Sequence, residues 1–190
     1  NISGIGISSC NNTLVVRNNA SNNREVEDST YVGGGISLYD SRNCTFVDNV
    51  ISGNGATGIS IVSGVGYSSF NNTIRNNTII GAFGTSYGIA ISESRNNTIA
   101  ENTILSNTYG IQLYYYSKNH TIINNNVSGN SFGVYLEDSQ NNAIISNTIS
   151  KNAEGIRFEN ASNNDILYNN VSGNNGQAVN IRSDSRNNVL

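Results

Sequence analysis

Apolar residues recur along this chain in short, evenly spaced groups. The pairs Ile89/Ile91, Ile111/Leu113, Val134/Leu136 and Ile156/Phe158 alternate with polar residues at a period of two, which predicts short half-buried strands. Ile99, Ile122, Ile144 and Ile166 mark a second strand per unit, and Ile104, Val127, Ile149 and Val171 a third. Ser-, Asn- and Gly-rich stretches separate the three. Counted from the residue that opens each unit (Gly4, Gly35, Gly58, Gly88, Gly110, Gly133, Gly155, Ala178), the intervals are 31, 23, 30, 22, 23, 22 and 23 residues. A period this short predicts a solenoid. Leucine-rich repeats have this length too, but they need a leucine ladder that the chain lacks.

Three short strands in about 22 residues leave no room for a helix. The expected fold is all-β: a single right-handed parallel β-helix over residues 1–190, in seven to eight turns, each strand pairing with its equivalent one turn along. Longer loops fall at about 18–34, 62–70 and 81–87, where the period stretches. The consensus G-I-x-[IL]-x-x-S-x-N-N-T-I-x-x-N-x-I-x-x-N places asparagine at fixed corners. Equivalent residues then stack about 4.8 Å apart. Asn suits such corners because it tolerates turn conformations and its amide can both donate and accept. The columns Asn49/Asn77/Asn102/Asn125/Asn147/Asn169 and Asn54/Asn107/Asn130/Asn152/Asn174 are therefore expected to form ladders.

The segments "GIAISESRNNTIAENTILSN" and "GVYLEDSQNNAIISNTISKN" carry a family resemblance that extends over essentially the whole chain. They resemble the parallel β-helix repeats of NosD-type and CASH-domain proteins, found in archaeal and bacterial surface proteins. The resemblance is specific for fold and weak for function, because many activities use this scaffold.

Composition narrows the function. Only 36% of residues are hydrophobic and 12% charged, without Trp, Met or Pro, and asparagine is the commonest residue. A net charge of -3 gives no reason to expect nucleic acid as partner. No apolar run reaches the length of a membrane span. Asn-x-Ser/Thr triplets at Asn1, Asn11, Asn19, Asn43, Asn71, Asn76, Asn96, Asn119, Asn126, Asn160 and Asn170 are candidate N-glycan acceptors if the protein is exported, although an Asn- and Thr-rich repeat also generates them by chance. Cys10 and Cys44 fit either one disulfide or two thiols.

Chemistry is sparse. The named member of the resembled family is associated with copper maturation, and copper sites need His, Met or Cys. This chain has a single His, His120, and its two Cys lie far from it in the repeat. No facing carboxylate pair for glycoside hydrolysis is legible either. No catalytic residue, metal ligand or cofactor is assigned. Asp40, Glu93, Asp138 and Asp184 each stand two residues before Arg42, Arg95, Gln140 and Arg186, and read as an ion-pair edge. A broken Thr column (Thr45, Thr73, Thr98, Thr121) lacks the second rank that an ice-binding face needs.

Aromatics form the most suggestive surface. Tyr87, Tyr109 and Phe132 each precede the opening glycine and are expected to stack on successive turns, with Tyr114, Tyr115 and Tyr116 crowding the next corner. Such rings either cover the core edge or offer a surface to a sugar or a protein. The first expansion adds Glu25, Glu27, Asp28 and Tyr31 to the candidate surface. Two functions stay open. One is a non-enzymatic extracellular structural or adhesive module at the cell surface, in contact with polysaccharide. The other is a polysaccharide-acting enzyme or its binding module, with catalytic residues outside this chain. Open solenoid ends carry unpaired strand edges, so end-to-end self-stacking or continuation in a longer chain is expected.

Overall fold

The computed structural model describes residues 3–23, 34–64, 69–81 and 86–190. Among these residues three parallel sheets wrap one apolar interior. The first sheet has eight strands, from Ser3–Ser8 to Val179–Arg182, most of them six residues long. The second has seven three-residue strands, from Leu14–Val16 to Asp165–Leu167, and the third six, from Val50–Ser52 to Asn170–Ser172. Each strand pairs in parallel with its equivalent on the next turn, as Ile111 does with Ile89 and Val134. The coil is right-handed, the hand that parallel crossovers adopt. Six turns carry all three strands, with partial turns on either side, slightly fewer than the seven to eight that the period suggested.

The alternation read from the sequence sorts the side chains as expected. Ile89, Ile91, Ile111, Leu113, Val134, Leu136, Ile156 and Phe158 point inward from the first sheet and are fully buried. Ile74, Ile99, Ile122 and Ile144 from the second sheet meet Ile79, Ile104, Val127 and Ile149 from the third. The opening glycines are required by close approach. A Cβ on Gly110 would stand 2.5 Å from the Gly133 carbonyl and 2.6 Å from Val127 Cγ1.

Corners present a harder problem than strands. Each bends through a left-handed residue such as Asp48, Asn76, Glu101 or Asn124, at φ 53–59°. The next residue's N–H then faces inward, away from water and from the sheet ladder. Asparagine closes that gap. The Asn102 N–H and its side-chain Nδ2 both donate to Asn125 Oδ1, at 2.9 and 3.0 Å, while Nδ2 also donates to the Ile74 carbonyl one turn back, at 2.9 Å. Each rung thus ties three turns together. The same bonds run from Asn18 to Asn169, and Asn107, Asn130, Asn152 and Asn174 repeat them at another corner.

A third ladder, not singled out in the sequence, runs through Asn72, Asn97, Asn142, Asn164 and Asn188. His120 replaces asparagine in it. Its Nδ1 accepts from the Asn97 N–H at 3.1 Å, and its own N–H donates to Asn142 Oδ1 at 2.9 Å. Nε2 is buried and has no partner. Burial pulls the imidazole pKa down to about 4, against the backbone interactions with Asn97 and Ser94 that raise it.

Cys44 begins this ladder, donating its N–H to Asn72 Oδ1 at 2.9 Å. Cys10 belongs to the neighbouring serine column, where its N–H bonds to Ser41 Oγ. The Cys10–Cys44 disulfide considered from the sequence is not formed: both thiols are free, Cys10 exposed and Cys44 buried. The reason is register. Val15 pairs with Phe46, so the two cysteines stand three positions apart on neighbouring turns.

The histidine rung makes a testable prediction. The unfolded imidazole, near pKa 6.5, binds its proton before the folded one, near 4, so stability falls as pH drops through that window. The loss from this residue approaches about 3 kcal/mol. His120→Asn restores the regular rung and is expected to remove this component, shown by the two proteins' melting temperatures diverging between pH 6.5 and 4.

Candidate functional site on the outer face of the first sheet

The outward positions of the first sheet form columns along the coil. The first runs Thr57, Tyr87, Tyr109, Phe132, Glu154. Tyr87 and Tyr109 stack with centroids 5.1 Å apart and 8° between planes, and Tyr109 and Phe132 follow at 5.2 Å and 14°. The Arg157 guanidinium continues the pile, 5.3 Å from the Phe132 centroid. The three rings sit on strands rather than at a corner. Their faces are mostly spent on one another, so edges and the Tyr hydroxyls point outward.

The second column runs Ser60, Ala90, Gln112, Tyr135, Arg157, Asn180. Tyr135 leans on Tyr109 and Phe132, at 5.6 and 5.7 Å. Its hydroxyl donates to Glu159 Oε2 at 2.9 Å, and Arg157 Nη2 donates to the same oxygen at 2.9 Å. Burial, with Glu159 alongside, pushes the Tyr135 phenol well up. The Tyr135 hydroxyl, with Arg157, holds Glu159 below the usual carboxylate range. On the preceding turn Glu137 is raised by burial and by Asp138 and Glu159, despite accepting from Gln112 Nε2 at 3.3 Å. Two neighbouring carboxylates are thus pushed in opposite directions.

Tyr114 and Tyr115 close the face at its corner, with rings 5.0 Å apart and tilted by 49°. Beyond them the expected ion-pair edge is largely missing. Among the described residues only Asp184–Arg186 pairs, at 3.3 Å. Asp40 and Glu93 adopt left-handed backbone, at φ 46° and 48°, which breaks the strand geometry that puts i and i+2 on one side. Arg42 and Arg95 instead flank the Phe70 ring, at 5.9 and 5.2 Å.

The sequence had singled out Tyr87, Tyr109, Phe132, Tyr114 and Tyr115, and the fold brings these together. It had missed Tyr135, Arg157, Glu137 and Glu159. The available signal was the outward column in which Ser37, Ser60 and Ala90 give way to Gln112, Tyr135 and Arg157. Glu25, Glu27, Asp28 and Tyr31 lie outside the described residues. The candidate glycan acceptors Asn11, Asn19, Asn43, Asn71, Asn76, Asn96, Asn119, Asn126, Asn160 and Asn170 are all exposed.

The comparisons with known proteins agree with this geometry. The family model of NosD, described as a periplasmic copper-binding protein, matches residues 1–125 and 63–190. No curated protein matches the sequence. Among solved structures, the periplasmic alginate epimerase AlgG is 26% identical with a TM-score of 0.64, over 79% of this chain and 36% of its own. The A-module of the mannuronan C-5 epimerase AlgE4 of Azotobacter vinelandii is 15% identical, TM-score 0.66, over 99% of this chain and 58% of its own. The enzymatically active domain of tailspike protein 2 of bacteriophage CBA120 is 13% identical, TM-score 0.70, over 98% and 36%. The last two likenesses are of fold. This chain spans 36% to 58% of the length of these proteins.

Tyr135→Phe is expected to raise the Glu159 pKa towards the ordinary carboxylate value, since the hydroxyl is the largest influence lowering it. Carboxyl-carbon NMR titration of wild type and variant reads this directly.

Proposed function

On the premise that this chain belongs to the NosD family of parallel β-helix proteins, we propose that it is a carbohydrate-binding module of the cell envelope or exterior, holding a polysaccharide along the outer face of its first sheet. One observation carries the reading. The interior columns repeat almost unchanged, whereas, among the described residues, the outward columns of this sheet gather stacked aromatics, an amide, carboxylates and a guanidinium. Edge-on rings with phenol hydroxyls, flanked by acids and amides, offer a sugar chain both apolar contact and hydrogen-bond partners. The two epimerase neighbours, one of alginate and one of mannuronan, add support, and so does the periplasmic description of the family. The exposed Asn-x-Ser/Thr acceptors suit an exported, glycosylated surface protein.

Copper does not suit these residues. His120 is 1% exposed and spends Nδ1 on the Asn97 amide, the sequence has no Met, and the two cysteines lie three register positions apart. No step of the proposed function runs through a metal.

A second reading, an enzyme acting on polysaccharide with further catalytic groups outside this chain, is favoured by Glu137 and Glu159. Their opposed shifts are the pattern an acid and a base show. Affinity electrophoresis through gels containing a panel of soluble polysaccharides tests the proposal. Binding retards the wild type, and Tyr109→Thr, which copies the residue Thr57 of the same column, weakens it by about tenfold. Migration unchanged in every gel contradicts the proposal. Release of reducing ends or unsaturated products from the retarding polysaccharide replaces the binding module with the enzyme.

A further inference from the structure

The corner that follows strand Tyr109–Tyr114 carries a surplus residue. Ser92 and Arg95, three residues apart, pair with Tyr114 and Lys118, which are four apart. The surplus residue drives Tyr115 and Tyr116 in succession into the left-handed region, at φ 47° and 60°. That backbone is costly for bulky side chains and persists only where neighbours hold it. Here the Glu93 N–H donates to the Tyr115 carbonyl at 3.1 Å, and the Tyr116 N–H to the Asp138 carbonyl at 2.8 Å. The Tyr116 ring is left 66% exposed beside a depression of about 250 Å³, lined also by Asp138, Ser139, Gln140, Asn160 and Ser162.

The serine column of this corner is irregular too. Ser139 is 2% exposed, yet its hydroxyl has no partner. Its equivalents are satisfied: Ser41 donates to the Tyr39 carbonyl at 2.8 Å, and Ser117 to the Tyr114 carbonyl at 2.8 Å. That oxygen is closed off from solvent, so what the depression offers a ligand is the exposed ring, the Asp138 carboxylate and the two amides.

We infer that this depression is a saccharide subsite that takes one uncharged pyranose unit of a glycan. The inference rests on the carbohydrate reading above and adds the place and the class of sugar. The Tyr116 ring supplies a flat apolar wall for the C–H face of the sugar. Asp138, Gln140 and Asn160 supply partners for its hydroxyls. Charge selects against a uronate. Asp138 lies in the depression, with Glu137 beside it in sequence and Glu159 on the next turn. The nearest cation of the face, Arg157, already donates to Glu159 at 2.9 Å, and Lys118, next to Gln140 in its column, is also engaged. A carboxylated sugar therefore meets like charge, whereas a neutral one meets acceptors.

The test is an amide NMR titration of wild type, Tyr116→Ala and Gln140→Ala with maltotriose, cellotriose and mannotriose, with trimannuronate, and with calcium chloride alone. The expected result is that an uncharged trisaccharide shifts the amides of residues 116, 138–140 and 160–162. Tyr116→Ala weakens that binding by about tenfold. Gln140→Ala weakens it without lowering the melting temperature, because its side chain is exposed. Preference for trimannuronate at this corner, or shifts from calcium alone, overturns the inference. Glycan binding that Tyr109→Thr weakens and Tyr116→Ala does not leaves the carbohydrate reading standing and removes the subsite. Failure of every glycan to bind removes both.

Discussion

The whole structure hangs on an amide that bonds in two directions at once. Each corner needs a left-handed residue, and the N–H that follows is turned inward where neither water nor a sheet partner reaches it. An asparagine one turn on offers its Oδ1 to that N–H, and its Nδ2 reaches back to a carbonyl of an earlier turn. Two or three net hydrogen bonds per rung, each of about 1 kcal/mol, offset the conformational cost of the corner. Because the corners and the apolar interior carry stability, the outward positions of the strands are released from structural duty. Variation there costs the fold little, and it is there that the chemistry collects.

This division explains what could be read from the residues alone. Ile111, Leu113, Ile122 and Val127 were legible because each repeats every turn with its polar neighbours, and so were the ladders through Asn102 and Asn130. The ladder through Asn97 was harder to see because His120 and Cys44 interrupt it. Cys10 and Cys44 looked able to pair because they fall on neighbouring turns, whereas hydrogen bonding pairs Phe46 with Val15 and leaves them three positions apart. The acid-base edge failed for a related reason: Asp40 and Glu93 look like strand residues and are left-handed corner residues. Stacking of Tyr87, Tyr109 and Phe132 followed from spacing. Tyr135 and Glu159 did not, since nothing periodic announces a hydrogen bond between two outward columns.

The candidate site therefore lies where repetition lapses. Arg157 caps an aromatic pile, Tyr116 is a surplus residue in its corner, and Ser139 faces a turn that has Ala161 in place of the next serine. The solved structures of similar fold share only 13% to 26% of their residues with this chain, so the resemblance supplies the scaffold. Copper, the ligand in the family's description, finds no set of donors among these columns.

Buried asparagine rungs, rather than strand pairing alone, hold the turns in register. Chemical denaturation of Asn125→Ala tests this claim most directly, because Asn125 accepts from Asn102 and donates to Asn147 and to the Ile99 and Ile123 carbonyls. The predicted result is a loss of about 2–4 kcal/mol, with faster amide exchange at Asn102 and Asn147 on the adjoining turns. A loss below about 0.5 kcal/mol, with exchange unchanged on those turns, contradicts it.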